Sequence, residues 1–575
     1  MAARRALVVL IVMMVAVGLS ALLCQLLAPG GWTPAKLVML AAFAGTAPWT
    51  GLCLANGLIG FMILIWGDDQ GRRAVRFREF PQAARIPRVA IAVTVRDEDM
   101  RRVLPPLRRL LTELDQAAPG DAFALFILSD TSDQQTAAIE ELAIAAFRAE
   151  DRAQDRIHYR RRTANIGFKA GNIMDFLDHH ADGFELMLTL DADSEMSANA
   201  VLRLVREMQS DPTLAIVQHL TIGQPAQSAF PRLFQFGMRA GMRTWATGQA
   251  WWQGDEGPYW GHNAVVRIAP FREHARLPLL PNGQHILSHD QIEAAVLSGA
   301  GWGVRVLPIE DGSCEANPPA MPEFLRRELR WLAGNLQYGH LLRLPGLRAM
   351  GRWQLAQAIL LFAGKPLYLL FLVAAAAAAA TDDTSPFPAA AALALTGAWL
   401  GALYAPKLLG YAEVALSPDK LARYGGIARF AGSAAIEFGF TLLLDAVSAF
   451  AQTSAICRLA LGARAGWSPQ NRLERGVDWP EATRLLWPQT LFGILIFAAF
   501  SVAGSTAVFW ALPLAGGLLA GIPLCVLTSN PRLGHWLRDQ QIAAIPEEIS
   551  LPPINTGARG AHPAALALQP QADSD

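Results

Sequence analysis

The sequence predicts a polytopic α-helical membrane protein that carries an α/β domain between its helices, and three observations lead there. The 575 residues are 52% hydrophobic and only 17% charged, too apolar for an ordinary soluble chain of this length. Uncharged runs long enough to cross a hydrocarbon core of roughly 30 Å recur towards both ends. Between them a stretch of ordinary polarity alternates short β-rich runs with helical ones. Formal net charge is zero, so no nucleic-acid or polyanion partner is expected and charge arguments are local.

Residues 6–27 and 37–66 contain no charged side chain, and further apolar blocks lie at 355–381, 389–412, 486–510 and 512–529, so six spans are expected. Arg4 and Arg5 suit a secretory signal, but the apolar run is too long and no small-residue cleavage site follows. Arg4 and Arg5 precede the first span, and Arg72, Arg73, Arg76, Arg78, Arg85 and Arg88 follow the second. The short connections between spans hold only Lys36 in one and Asp382 with Asp383 in another. The positive-inside rule therefore puts the central region in the cytoplasm.

Residues 430–457 are apolar but carry Glu437 and Asp445, and a basic segment with Arg464, Arg472 and Arg475 follows. A span there would put those arginines outside, so the segment is expected as an amphipathic helix on the cytoplasmic membrane face. The expected layout is 1–66 (two spans), 67–345 (cytoplasmic α/β domain ending in an interface helix), 346–412 (two spans), 413–485 (surface helix and loop), 486–529 (two spans) and 530–575 (disordered cytoplasmic tail). Cysteines 24, 53, 314, 457 and 525 have neither disulfide-framework nor zinc spacing.

In the central region, Val89–Val95 and residues 123–128, 156–159, 186–190 and 215–219 are expected strands of a largely parallel sheet. Ligands of such sheets sit beyond the carboxyl ends of the strands. Three polar clusters lie at or after strand ends: Ser129-Asp130-Thr131-Ser132-Asp133, Asp191-Ala192-Asp193 and Ser288-His289-Asp290. Asp191 and Asp193, where the chain leaves the sheet, can turn to one hard cation that bridges a diphosphate. A lone D-x-D is also a common loop or helix cap.

Asn165 to Asn172 forms a glycine-punctuated turn around Lys169, a point charge for phosphate or a surface lysine at a helix start. Arg327 and Arg330 are three apart on a helix and share a face suited to a pyrophosphate. Trp331 offers a flat surface for the CH face of a pyranose, although Arg and Trp also anchor helices at a membrane surface.

The order of these motifs resembles the processive family 2 glycosyltransferases of the cellulose synthase and hyaluronan synthase superfamily, which carry D, DxD, [ST]ED and QxxRW on a GT-A domain between membrane helices. Asp130 resembles the first aspartate, Asp191 and Asp193 the D-x-D pair and Asp290 the catalytic aspartate, with Arg327 to Trp331 in place of QxxRW. Ser288-His289-Asp290 and Arg327 depart from that pattern. Both departures resemble the periplasmic glucan glucosyltransferase H family. So do Lys169-Ala170-Gly171-Asn172, Trp251 to Gly257, Tyr259 to Ala264 and Arg330 to Gln337.

That resemblance implies a GT-A domain, a UDP-glucose donor, a growing linear β-1,2-glucan as acceptor, Mg2+ or Mn2+, and a bacterial inner membrane whose lipids surround the helices. It leaves open a need for acyl carrier protein or periplasmic glucan-processing proteins. Inversion at the sugar carbon requires one base, assigned to Asp290, while Asp130, Lys169, Asp191, Arg327 and Arg330 bind donor, Asp191 and Asp193 hold metal, and Trp331 binds acceptor. His289 is expected only to line the loop. Trp467 follows the surface helix where related synthases carry a nucleotide-covering loop, so it is expected to close the donor site. Lys365-Pro366 marks the start of an expected product channel beside Trp331. Another β-glycan synthase and, more remotely, a nucleotide-regulated transporter are the alternatives; the latter lacks a second broken helix to match Lys365-Pro366.

Overall fold

The computed structural model describes residues 1–67, 85–118, 120–151, 153–381, 388–463 and 471–550. Ten strands fall in the central region: β1 (Val89–Val95), β2 (Phe123–Ser129), β3 (Ile157–Arg161), β4 (Leu186–Asp191), β5 (Glu195–Met196), β6 (Leu214–His219), β7 (Ile222–Gly223), β8 (Ala264–Arg267), β9 (Gly303–Leu307) and β10 (Ser313–Glu315). Seven build one sheet in the order β3-β2-β1-β4-β8-β6-β9, and β5-β10-β7 form a second, small one.

The inner strands of the large sheet are buried on both faces, which is why β1 and β2 read as unbroken apolar runs rather than as alternation. The connecting helix Met100–Ala117 does alternate. It buries Val103, Leu104, Leu107, Leu111 and Leu114 on one face, and the Asp99 carboxylate caps its first turn by accepting from the Arg101 amide at 3.1 Å. The sheet is mixed rather than largely parallel, because β8 runs antiparallel to both β4 and β6. Four residues after the Gly261-His262-Asn263 turn are too short a run to signal a strand.

Register sets up the site. Val95 pairs with Ser129, and Thr94 with Asp191. The carboxyl ends of β1, β2 and β4 therefore open side by side, and the chain leaves them as Asp97, Asp130 and Asp193.

Among the described residues six helices are long and apolar enough to cross a membrane: Ala2–Leu27, Pro34–Trp66, Ala349–Thr381, Ile427–Ala460, Trp479–Val502 and Thr506–Ser529. Two corrections to the expected spans follow. The block 389–412 is two helices, Ala389–Leu403 and Ala405–Ala415, bent by 77°, with Pro406 starting the second. The last two spans break at Ala503-Gly504, where Gly504 has φ +106°, not at residue 511. The segment 430–457 belongs to Ile427–Ala460, which by length and composition alone is also able to cross.

Ile427–Ala460 makes contacts at both of its ends with helices outside the apolar set. Near its start Phe430 packs on Phe236 of the helix Ala229–Gln253, and near its end Ile456 and Leu459 pack around Leu332 of the helix Met321–Gln337. Both partners are helices that continue from the α/β domain. The tail from residue 530 is not disordered throughout: Pro531–Asp539 is helical, and Ala543, Ala544 and Ile545 are buried. Residues 551–575, Trp467, Arg464 and the arginines at 72, 73, 76 and 78 lie outside the described residues.

The α/β domain is bolted to the membrane helices through glycine. A Cβ at Gly60 would lie 1.9 Å from the Thr244 carbonyl oxygen, and one at Gly248 would lie 2.2 Å from that of Asn56. Only bare backbone permits Pro34–Trp66 and Ala229–Gln253 to approach this closely, and the Trp252 indole donating to Asn56 Oδ1 at 2.8 Å fixes their register.

Candidate active site

Asp130, at the end of β2, is buried and takes both oxygens to the Arg162 guanidinium at 2.7 Å each. Arg162 also donates to the Ile166 and Phe168 carbonyls at 3.0 and 3.1 Å, tying the first aspartate to the glycine-punctuated turn. That turn starts the helix Phe168–His179, whose first residues include Lys169.

Lys169 forms an ion pair with Asp191 at the end of β4. Burial works to raise the Asp191 carboxyl, but Lys169, helped by His262 and Arg472, holds it well below the usual carboxylate range. Asp193 pairs with Arg472, which also reaches Glu98 at 3.2 Å. Arg472 lies in the segment after Ile427–Ala460, so that segment returns to the strand ends. It is latched there: Arg475 pairs with Glu323 at 2.9 Å, and the Glu474 carboxylate accepts from the Ser228 amide at 2.7 Å. The two D-x-D carboxylates thus face one region, each beside a cation from a different part of the chain.

Among the described residues no three His, Cys, Asp or Glu side chains are gathered as a metal cage. The donor set nevertheless suits Mg2+ or Mn2+ arriving with a diphosphate, since one or two carboxylates suffice when phosphate oxygens and water complete the octahedron. Asp191 remains ionised under these charges, and both carboxylates already attract cations.

Asp290 opens the helix Asp290–Gly299 and is half-buried. Tyr338 donates its hydroxyl to the Ser288 carbonyl at 3.0 Å and to Asp290 Oδ1 at 3.3 Å. Burial and then the Asp290 charge push the Tyr338 phenol well above its ordinary value, so it stays a donor. The Leu287 amide donates to Gln337 Oε1 at 2.8 Å. His289 Nδ1 lies 2.9 Å from the buried Glu293.

Arg327 is 8% exposed, with its guanidinium 4.4 Å from the Trp331 ring centre and within 6 Å of Phe234 and Phe324. Arg330 lies within electrostatic reach of Arg327 and Arg472; burial, then those two charges, lower its pKa. Trp331 stays 43% exposed. Beyond it, Lys365 and Asp445 act on the charge of Glu328, and Tyr404 donates to Asp445 at 2.6 Å. Sequence reasoning thus found the aspartates but missed Arg162, Glu98, Tyr338 and Glu293. Arg472 was read only as a topological signal. Arg162, Glu98 and Tyr338 meet their partners through the fold, whereas Glu293 lies one helical turn from His289, a spacing that is visible in the sequence but common on any helix.

The family model for glycosyl transferase family 2 matches residues 91–275, and that for glycosyl transferase family group 2 matches residues 186–404. Glucans biosynthesis glucosyltransferase H of Xanthomonas oryzae pv. oryzae is 32% identical over 92% of this chain and 84% of its own length. The protein of the same name from Vibrio cholerae serotype O1 is 32% identical over 91% of this chain and 74% of its own. A solved mannosyltransferase from Pyrobaculum calidifontis, in complex with GDP-Man and Mn2+, is 18% identical with a TM-score of 0.41 and covers 64% of this chain and 98% of that one. A GT-A sheet flanked by long apolar helices, the family 2 matches and near full-length identity above 30% agree: the chain belongs to the glucans biosynthesis glucosyltransferase H family of family 2 glycosyltransferases.

Proposed function

We propose that this enzyme transfers glucose from UDP-glucose, with inversion, to the end of a growing linear β-1,2-glucan on the cytoplasmic face of a bacterial inner membrane, and helps the product cross. The observation that carries the reading is the pairing of two arrangements at one sheet edge. Asp191 and Asp193 each sit beside a mobile-length cationic side chain suited to a diphosphate, and Asp290 is buttressed by a permanent phenol donor. Glucosyl transfer into a glucan accords with the names of the relatives, and the UDP-linked donor and the β-1,2 linkage rest on the family resemblance.

In the transfer, Asp290 takes the proton of the acceptor hydroxyl as its oxygen bonds to the sugar carbon. The bond from that carbon to the diphosphate oxygen breaks, and its electron pair leaves with UDP. Tyr338, donating to Oδ1, leaves the other carboxylate oxygen to receive the proton. A divalent cation held by Asp191 and Asp193 would offset charge on the departing diphosphate. Lys169 and Arg472 then have phosphate oxygens as partners in place of carboxylates, and Arg327 and Arg330 add positive potential on the same side. Trp331 stacks on the acceptor. Trp467, by resemblance, closes the donor site.

For the membrane, both ends of Ile427–Ala460 touch helices of the α/β domain, which supports a helix lying along the cytoplasmic face rather than crossing it. Glu328, Lys365, Asp445 and Tyr404 form a polar line from beside Trp331 among apolar helices, and polar groups at that depth are tolerated where they line a cavity. Purified protein in lipid should incorporate [14C]glucose from UDP-glucose, with linkage analysis reading the product. Asp290→Asn should lower transfer by about 10²–10⁴ while UDP affinity stays near wild type. Undiminished turnover in that variant would remove Asp290 as the base.

A further inference from the structure

Two features beside Asp290 are not used by the transfer step. The first is a buried acid-imidazole pair: Glu293, 2% exposed, lies one helical turn from His289, with its Oε2 2.9 Å from Nδ1. Burial disfavours the imidazolium, but the Glu293 carboxylate outweighs it and holds His289 above its ordinary value. Nδ1 is thereby committed, whereas among the described residues Nε2 has no hydrogen-bond partner. The second is shape. A Cβ built on Gly261 would lie 3.5 Å from the Asp290 Cβ, 3.5 Å from the His289 Cε1 and 3.7 Å from Nε2. The base and the uncommitted edge of the imidazole therefore border the same bare stretch of backbone. Lys169, Asp290 and Glu293 are the charged groups acting on His289.

A pyranose presents neighbouring hydroxyls of nearly equal acidity, and a single base does not choose among them, because the ring can turn about its aromatic stacking partner and offer another. A second anchor at a fixed distance removes that freedom. We propose that His289 binds the terminal acceptor sugar through Nε2, gripping a hydroxyl vicinal to the one that Asp290 deprotonates, and so selects which hydroxyl attacks. This rests on Asp290 being the base. Glu293 is the positioning residue: it holds the ring so that Nε2, rather than Nδ1, meets the sugar, as carboxylates orient imidazoles elsewhere. His289 moves no proton in the step; it exchanges one hydrogen bond with water for one with the acceptor.

The test uses the full-length protein in lipid with UDP-glucose and short glucan acceptors. His289→Ala should raise acceptor KM about tenfold, the scale of one directed hydrogen bond, leave UDP affinity unchanged, and give products of mixed linkage. His289→Gln, which keeps a polar terminus, should recover part of both, and Glu293→Gln should fall between. A variant with wild-type UDP affinity, wild-type acceptor KM and a single unchanged linkage would overturn the assignment. Should His289→Ala lose UDP binding through misfolding, His289→Gln decides by the same two readouts. Undiminished transfer by Asp290→Asn, in contrast, would remove the base and with it the reading on which this inference stands.

Discussion

Asp191 and Asp193 are two residues apart yet have different partners, Lys169 from the preceding crossover and Arg472 from a segment nearly 300 positions later. Asp193→Ala should lose divalent-dependent activity and UDP affinity together, because cation and diphosphate bind as one unit. Calorimetric UDP titrations with and without EDTA read this, and full activity in EDTA would remove the cation from the mechanism. His219 offers a pH test at the same scale. It is buried on β6, accepts from Arg203 at Nε2 (3.1 Å) and donates from Nδ1 to the Leu220 carbonyl (3.0 Å), so the folded protein holds it neutral. Burial pulls its pKa to about 4. The unfolded chain binds the proton first, so stability is fully present above the unfolded value near 6.5 and is lost as pH falls from there towards 4. The loss approaches about 3 kcal/mol. Thermal midpoints of wild type and His219→Asn across that window should diverge less at pH 5 than at pH 7.5; parallel curves would refute it.

The helix Met321–Gln337 decides most at the scale of elements. It carries Arg327, Arg330 and Trp331, the residues proposed to meet donor and acceptor, and its far end holds the loop before Asp290 through Gln337 and the following Tyr338. Between them Gly334 admits that loop: an added Cβ would stand 2.3 Å from the Ser288 Oγ and 2.9 Å from its amide nitrogen. Gly334→Ala should therefore push Ser288-His289-Asp290 aside. Misplacing a reacting group by about 1 Å can cost about 10²-fold in rate, so kcat should fall at least tenfold while UDP affinity stays within twofold. Equal loss of both would mean that the whole helix had moved. The arginine-tryptophan motif was legible as spacing on one helix. The support of the base was not, because Tyr338 and Asp290 are 48 positions apart and meet only by packing.

Across the whole molecule, the C-terminal segment closes the joint between the α/β domain and the membrane helices. Arg232, 1% exposed, donates to Glu548 at 2.6 Å and to the Ile542 carbonyl at 2.7 Å, and Arg239 pairs with Glu547. The Ala543 amide donates to Ser433 on Ile427–Ala460 at 2.9 Å. Glu548→Ala would leave a guanidinium buried without its counter-ion. Breaking such a pair costs about 3–5 kcal/mol, and the remaining carbonyl partners, Ile542 and Ala226, put the expectation near the lower end. Thermal denaturation in detergent should report a clear drop, and an unchanged midpoint would show that Arg232 is neutralised another way.

Apolar run length, strand-end aspartates and basic flanks are local quantities, so the sequence by itself determined the membrane character, five strands of the α/β domain and the acidic residues of the site. Length and composition alone leave Ile427–Ala460 able to cross; the basic flank after it argued in the sequence for a surface helix, and its contacts with Phe236 and Leu332 support that reading. The tail at 542–548 looked disordered because two glutamates beside proline are soluble in isolation; buried arginines on another helix make them structural. The short β8 and the partners of Asp130, Asp193 and Asp290 were likewise decided by tertiary structure. Pairings between residues tens to hundreds of positions apart leave no periodicity in the chain, since they depend on which elements the closed core brings together.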